Sequence, residues 1–161
     1  MIESVVLLAY VTLQRLGELA LARRNTRALL RRGAWEHGAA HYPFIVALHA
    51  AWIAGLWTLA PGIEPRPAWL LAFMASQLAR FWVLWTLGPR WTTRIIVLPG
   101  APLVRDGPYR FVSHPNYCVV AAEIFVLPMV FGLWRFALIF SILNVMVMCA
   151  RVRAENAALR P

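Results

Sequence analysis

The chain has 161 residues, of which 61% are hydrophobic and only 14% charged. That balance excludes an ordinary soluble enzyme and points to one integral membrane domain over residues 1–161. The formal net charge of +9 comes from sixteen basic residues, all arginine, against seven acids; the arginines gather in short stretches between apolar runs, which argues for membrane-flanking charge and against nucleic acid as a partner.

The apolar runs predict an all-α integral membrane protein with about five transmembrane helices, at 2–22, 42–60, 67–87, 117–131 and 134–152. The last two read as a tight helical hairpin, because Pro128, Gly132 and "LWR" interrupt a stretch too long for one span. The first run lacks a basic leading segment and carries Arg15 and Glu18, unlike a cleavable signal peptide. Gln14, Glu18 and Asn25 form a polar stripe on it that predicts an interior face. Loop 23–41 holds Arg23, Arg24, Arg27, Arg31 and Arg32, and loop 88–116 holds Arg90, Arg94, Arg105 and Arg110. The tail adds Arg151, Arg153 and Arg160, whereas loop 61–66 has only Arg66. The positive-inside rule therefore predicts an outside N-terminus, with both basic loops and the C-terminus on the cytoplasmic side of a bacterial inner membrane. Trp52, Trp57, Trp69, Trp85, Trp91 and Trp134 fall near span ends, where interfacial aromatics are expected.

Familiar nucleotide signatures are missing: the chain has no GxGxxG and no P-loop. Cys118 and Cys149 lie in apolar runs and form no CxxC, so neither a disulfide framework nor a zinc site is expected. Glu36, His37 and His41 contain metal-ligand residue types, but their loop position favours solvated side chains, and no metal is expected.

A hairpin after residue 116 brings 114–123 beside 148–156 at the cytoplasmic face. Tyr109, His114, Pro115, Asn116 and Tyr117 come from the first segment; Arg151, Glu155 and Asn156 come from the second. Asn144, Met148, Arg151 and Glu155 share one helical face by their spacing. Together they offer aromatic surface for a purine, a carboxylate for ribose hydroxyls or an amine, and guanidinium or amide for a carboxylate. Blander readings fit the same residues. Arg151 and Glu155 also make an i,i+4 ion pair at a helix end, His114-Pro115 also starts a helix, and Tyr109 and Tyr117 also serve as interfacial aromatics.

"GPYRFVSHPNY", an apolar hairpin and "RVRAEN" resemble the cofactor region of the isoprenylcysteine carboxyl methyltransferase family. The upstream "WTTRIIVLPGAPLVRDG" is similar to its small bacterial members, some linked to O-methylation of alkylpyrone-type lipids. Ser113 stands where members often carry Arg, and Asn156 where the second acid of a Glu-Glu pair is expected. The resemblance implies S-adenosylmethionine as methyl donor, with S-adenosylhomocysteine as product, bound at the cytoplasmic face. Tyr109, His114, Pro115, Asn116 and Tyr117 then line the adenosine side, while Arg151, Glu155 and Asn156 hold the ribose and amino-acid end.

Methyl transfer from a sulfonium is an in-line displacement on an activated donor, so alignment and desolvation matter most. A carboxylate acceptor is ionised at neutral pH and needs no general base; an arginine that orients the anion is the more useful group. Arg80 lies about 12 Å inside the third span and Glu123 at similar depth in the fourth, and pairing offsets the cost of burying either. The pair is either structural or borders the acceptor cavity, and Arg80, Glu123 and Arg151 are the candidate catalytic residues. His49, on an apolar helix, reads as a hydrogen-bonded core residue. The expected activity is O-methylation of a lipophilic small molecule, an isoprenylcysteine-like carboxylate or an alkylpyrone-type lipid, drawn from among the membrane lipids. An arginine-rich, lysine-free composition suits a GC-rich bacterial genome and favours a lipid metabolite over a prenylated protein. An NADPH-dependent membrane reductase and a non-catalytic lipid-binding protein are the alternatives.

Overall fold

The computed structural model describes residues 2–159, with the side chains of His41 and of 156–159 left undescribed. Five helices run in order: α1 (Ile2–Leu30), α2 (Tyr42–Leu59), α3 (Pro67–Leu87), α4 (Pro115–Val130) and α5 (Trp134–Leu159). Four are long and apolar enough to cross a membrane. The exception, α4, has 16 residues and rises about 24 Å, short of a hydrocarbon core of about 30 Å. It packs between α3 and α5, and proline opens both it and α3, where a missing N–H costs nothing.

The core is a column of apolar side chains that includes Leu8, Trp52, Leu56, Phe73, Ile124 and Leu127. Outside it the usual distribution inverts: Leu71, Leu78, Phe81 and Met146 point outward, as a lipid-facing surface requires. Two close approaches fix the helices. A Cβ on Gly55 of α2 would lie 2.5 Å from the Phe136 ring of α5. At the α4–α5 turn, Gly132 adopts φ +70 beneath the Arg66 guanidinium, and the Arg66 N–H donates to Val130 O at 2.8 Å.

Three expectations need correction. The first helix does not end near residue 22 but continues to Leu30. Its arginines favour helix, and Asn25 donates to the Gly88 and Trp91 carbonyls at 3.2 and 2.9 Å, tying the extension to the end of α3. The two basic loops are not wholly irregular, since β1 (Trp35–His37) and β2 (Ile95–Val97) pair antiparallel with Glu36 opposite Ile96. Three-residue strands carry almost no local signal, and pairing across about sixty residues is a tertiary outcome. Trp52 and Trp91 are 1% and 3% exposed, so they are core residues and not interfacial anchors, whereas Trp85 at 89% and Trp134 at 56% stand outside.

Candidate active site

Two polar sites emerge, one inside the helix bundle and one at the end bearing the sheet. In the bundle, Glu123 of α4 accepts from Arg80 Nε at 2.7 Å and again from Arg80 Nη2. Gln77 Nε2 and Arg15 Nη2 each donate to the same carboxylate at 2.6 Å. Glu18 accepts from Arg15 at 3.0 Å and from Arg80 at 3.1 Å. Two arginines and two glutamates thus neutralise one another and bolt α1, α3 and α4 together. The expected Arg80–Glu123 pair is present, and the polar stripe on α1 does face inward. Arg15 and Gln77 join this cluster without having been expected there; a charge inside an apolar span was the signal available for Arg15. Neither Arg80 nor Glu123 lines the cavities at the sheet end. His49 Nδ1 lies 2.8 Å from Ile45 O, which makes it the core histidine expected.

The second site forms where the start of α4 meets the last turns of α5. Tyr117 donates its hydroxyl hydrogen to Glu155 and accepts from Arg151 Nε at 2.8 Å. Arg151 Nη1 donates to Thr93 O at 2.8 Å, so Arg151 turns to Tyr117 and the β2 approach rather than capping its own helix through Glu155. The guanidinium carbon also stands 5.2 Å from the Tyr117 ring centroid. His114 stacks on Tyr117 with centroids 5.2 Å apart and planes 9° from parallel, and its Nδ1 is 3.6 Å from Glu155. Pro115 is the buried first residue of α4, and it sets the helix start that aims His114 and Tyr117 the same way. Asn116 leaves a buried Oδ1 without a partner among the described residues. Asn156 lies outside the residues whose side chains are described.

These side chains border two adjoining cavities. A smaller one, about 140 Å³, is lined by His114, Asn116, Tyr117, Arg151 and Glu155. It shares Leu87, Tyr109, His114 and Glu155, among others, with an open cavity of about 940 Å³, whose wall adds Leu29 and side chains from 98–105. Leu29 reaches it only because α1 overruns its expected end. Tyr109 is carried on the turn Gly107–Arg110, and burial, with Glu155 nearby, pushes its phenol up to about 12. That turn is pinned by Gly107, whose φ is +55 and whose added Cβ would overlap Thr86 Oγ1. Elsewhere in the sheet, Arg94 holds Glu36 at 2.7 Å and lies over the Tyr42 ring, so Glu36 serves an ion pair.

The model of the isoprenylcysteine carboxyl methyltransferase family matches residues 69–161, which is more than half the chain and includes both segments of this site. The chain belongs to that family. It is therefore an integral membrane protein of a methyltransferase family, with five α-helices among the described residues, of which four are long and apolar enough to span. The chain is 37% identical to Uncharacterized protein YpbQ of Bacillus subtilis over 96% of its own length and 95% of the relative's. It is 24% identical to an Uncharacterized protein of Haemophilus influenzae over 90% of its length and 88% of the relative's. No solved structure matches.

Proposed function

We propose that the chain is an S-adenosylmethionine-dependent O-methyltransferase acting on a lipophilic acid or enol. The observation that carries this reading is the convergence of Tyr117, His114, Arg151 and Glu155 on one cavity, inside the segment that the family model matches. The donor set suits S-adenosylmethionine. The stacked His114 and Tyr117 rings offer an aromatic face, Glu155 an acceptor for hydroxyls or an amine, and Arg151 a partner for a carboxylate. The Asn116 Oδ1, without a partner among the described residues, supports the same view, because a buried amide oxygen needs a donor and one on a ligand would supply it. When bound, S-adenosylmethionine supplies an activated methyl group: its sulfur–carbon bond breaks as the acceptor oxygen–carbon bond forms, leaving neutral S-adenosylhomocysteine and a neutral ester or ether.

The protein's own work is orientation and exclusion of water. Tyr117 is held from both sides, by Arg151 and by Glu155, so its ring cannot turn away from the cavity. Thr93 fixes Arg151 in turn. With its phenol pushed up to about 12, Tyr109 stays protonated at neutral pH and serves as a hydrogen-bond donor or ring face rather than as a base. No group at the site has to remove a proton from an acceptor that is already an anion.

The distribution of arginines supports an outside N-terminus and a cytoplasmic site and C-terminus in a bacterial inner membrane. Equilibrium binding of radiolabelled S-adenosylmethionine to detergent-purified protein tests the reading. Saturable binding displaced by S-adenosylhomocysteine is expected; no binding at millimolar donor would sink it.

A further inference from the structure

The outward stripe of α1 changes chemistry along its length. Val6, Leu13, Leu16 and Ala20 are exposed in steps of seven, three and four residues. Arg24, Arg27 and Arg31 carry the same stripe on in steps of four, three and four, with Arg23 beside them, and all four arginines are exposed. The opposite face holds Leu8, Val11, Ala22, Asn25 and Leu29, all buried. One continuous outer surface is therefore apolar for most of its length and basic at its end.

The neighbouring helix fixes the depth of that change. α3 has 21 residues and rises about 31 Å, matching a hydrocarbon core of about 30 Å. Asn25 donates to the Gly88 and Trp91 carbonyls, just past the last residue of α3, so Asn25 stands at the edge of the core. Arg23, Arg24 and Arg27 lie within two residues of Asn25, about 3 Å along the helix axis. Arg31 lies about one turn beyond Arg27. The arginines thus begin at the level where lipid headgroups replace acyl chains.

The chain supplies no counter-charge there. Glu18 and Glu123 are engaged inside the bundle, Glu36 by Arg94 and Glu155 by Tyr117. Among the described residues none of the four arginines makes an ion pair, and like charges at i,i+4, as in Arg23–Arg27 and Arg27–Arg31, destabilise a helix unless an anion lies between them. The helix C-terminus favours a cation in its last turn, which accounts for Arg27 but not for Arg23 or Arg24. Orienting the chain in the membrane needs positive charge on this side and is indifferent to the helix face that carries it.

We propose that Arg23, Arg24, Arg27 and Arg31 form a binding site for anionic phospholipid, with the phosphodiester held by the guanidinium groups and the acyl chains laid along Leu16 and Leu13. A guanidinium fork matches phosphate oxygens, and a ligand with a tail below its anionic head fits an apolar stripe that runs into arginines. The bound lipid is not the methyl acceptor: Leu29, on the opposite face of the same turns, is the α1 residue that reaches the larger cavity. The site stands independently of the methyltransferase reading.

The test measures binding of labelled phosphatidylglycerol to the full chain in neutral detergent. Saturable binding is expected, with unlabelled phosphatidylcholine and inorganic phosphate failing to displace it. The doubly substituted chain carrying Arg24→Gln and Arg27→Gln is expected to bind at least about tenfold more weakly, since each basic residue near the lipid surface contributes severalfold. Glutamine keeps the helix propensity of arginine, and both positions are exposed; should the pair fail to fold, the single Arg27→Gln variant is expected to show about a threefold loss. A second pair, Arg32→Gln with Arg153→Gln, removes the same charge from exposed positions off the stripe and is expected to bind like the parent. Parent-like affinity in the substituted stripe overturns the site. An equal loss in both pairs overturns it too, because binding would then follow net charge alone. So does displacement by inorganic phosphate, which would mark a free-anion surface, or by phosphatidylcholine, which would mark the acyl chains as the only attraction.

Discussion

Tyr117 and Glu155, 38 residues apart, are joined by a hydrogen bond across the α4–α5 hairpin, and Arg151 donates to the same phenolic oxygen. One hydroxyl therefore holds a carboxylate and a guanidinium apart and in position. Removing it leaves both charges short of a partner.

The Tyr117→Phe variant keeps the ring that stacks on His114 and loses both hydrogen bonds. It is expected to bind S-adenosylmethionine about tenfold or more weakly, corresponding to about 1.5–3 kcal/mol for hydrogen bonds to charged groups. Isothermal titration on the purified protein measures it. Parent-like affinity would show that the hydroxyl positions nothing.

Glu123 and Glu155 are expected to separate stability from binding. Glu123→Ala leaves Arg80 and Arg15 inside the bundle with Glu18 as their one remaining shared carboxylate, a loss of about 3–5 kcal/mol by analogy with broken buried pairs. Glu155→Ala alters a partly exposed group at the cavity and should leave the melting temperature near that of the parent while donor binding is lost. Thermal unfolding in detergent, with and without donor, compares the two. A reversal of this order contradicts both assignments, Glu123 as a structural bolt and Glu155 as a donor contact.

Gly107→Ala combines a backbone penalty with a clash. At φ +55 an L side chain costs about 1–2 kcal/mol, and the new Cβ would overlap Thr86 Oγ1 and lie 3.1 Å from Trp82 Nε1. The turn carrying Tyr109 shifts, so donor affinity falls along with stability. Adding Thr86→Ala should recover the steric share and not the backbone share. Full recovery would show that the left-handed conformation is unnecessary.

The alkaline limb of stability has a specific source. The Tyr109 phenol stands at about 12 in the fold against an ordinary value of 10.0. A raised folded value stabilises fully below about pH 10, and that contribution fades as pH climbs from about 10 toward 12, because the unfolded chain ionises first. Tyr109→Phe should flatten this part of the stability curve, read as melting temperature against pH. An unchanged slope would assign the loss to other groups.

Orientation can be read by labelling. With Cys118 and Cys149 replaced by Ser, Glu64→Cys on loop 61–66 should react with an impermeant maleimide in whole cells. Arg31→Cys, on the arginine-rich side, should react only after permeabilisation.

Hydropathy by itself determined the class, the order of the five helices and the hairpin, because burying backbone polar groups in lipid leaves few alternatives to helices and makes apolar runs legible one at a time. Spacing also placed Tyr117, Arg151 and Glu155 close together, since a short turn constrains both arms. Folding in three dimensions decided which charges were available. Arg80 and Arg105 are both arginines near apolar sequence, yet one is saturated by two glutamates from other helices and the other faces a cavity without an ion-pair partner among the described residues. The overrun of α1, the β1–β2 pairing and the burial of Trp52 and Trp91 likewise depend on partners distant in sequence. Local propensity reports what one segment prefers in isolation, whereas the availability of a charge or a hydrogen-bonding group is a property of its neighbours.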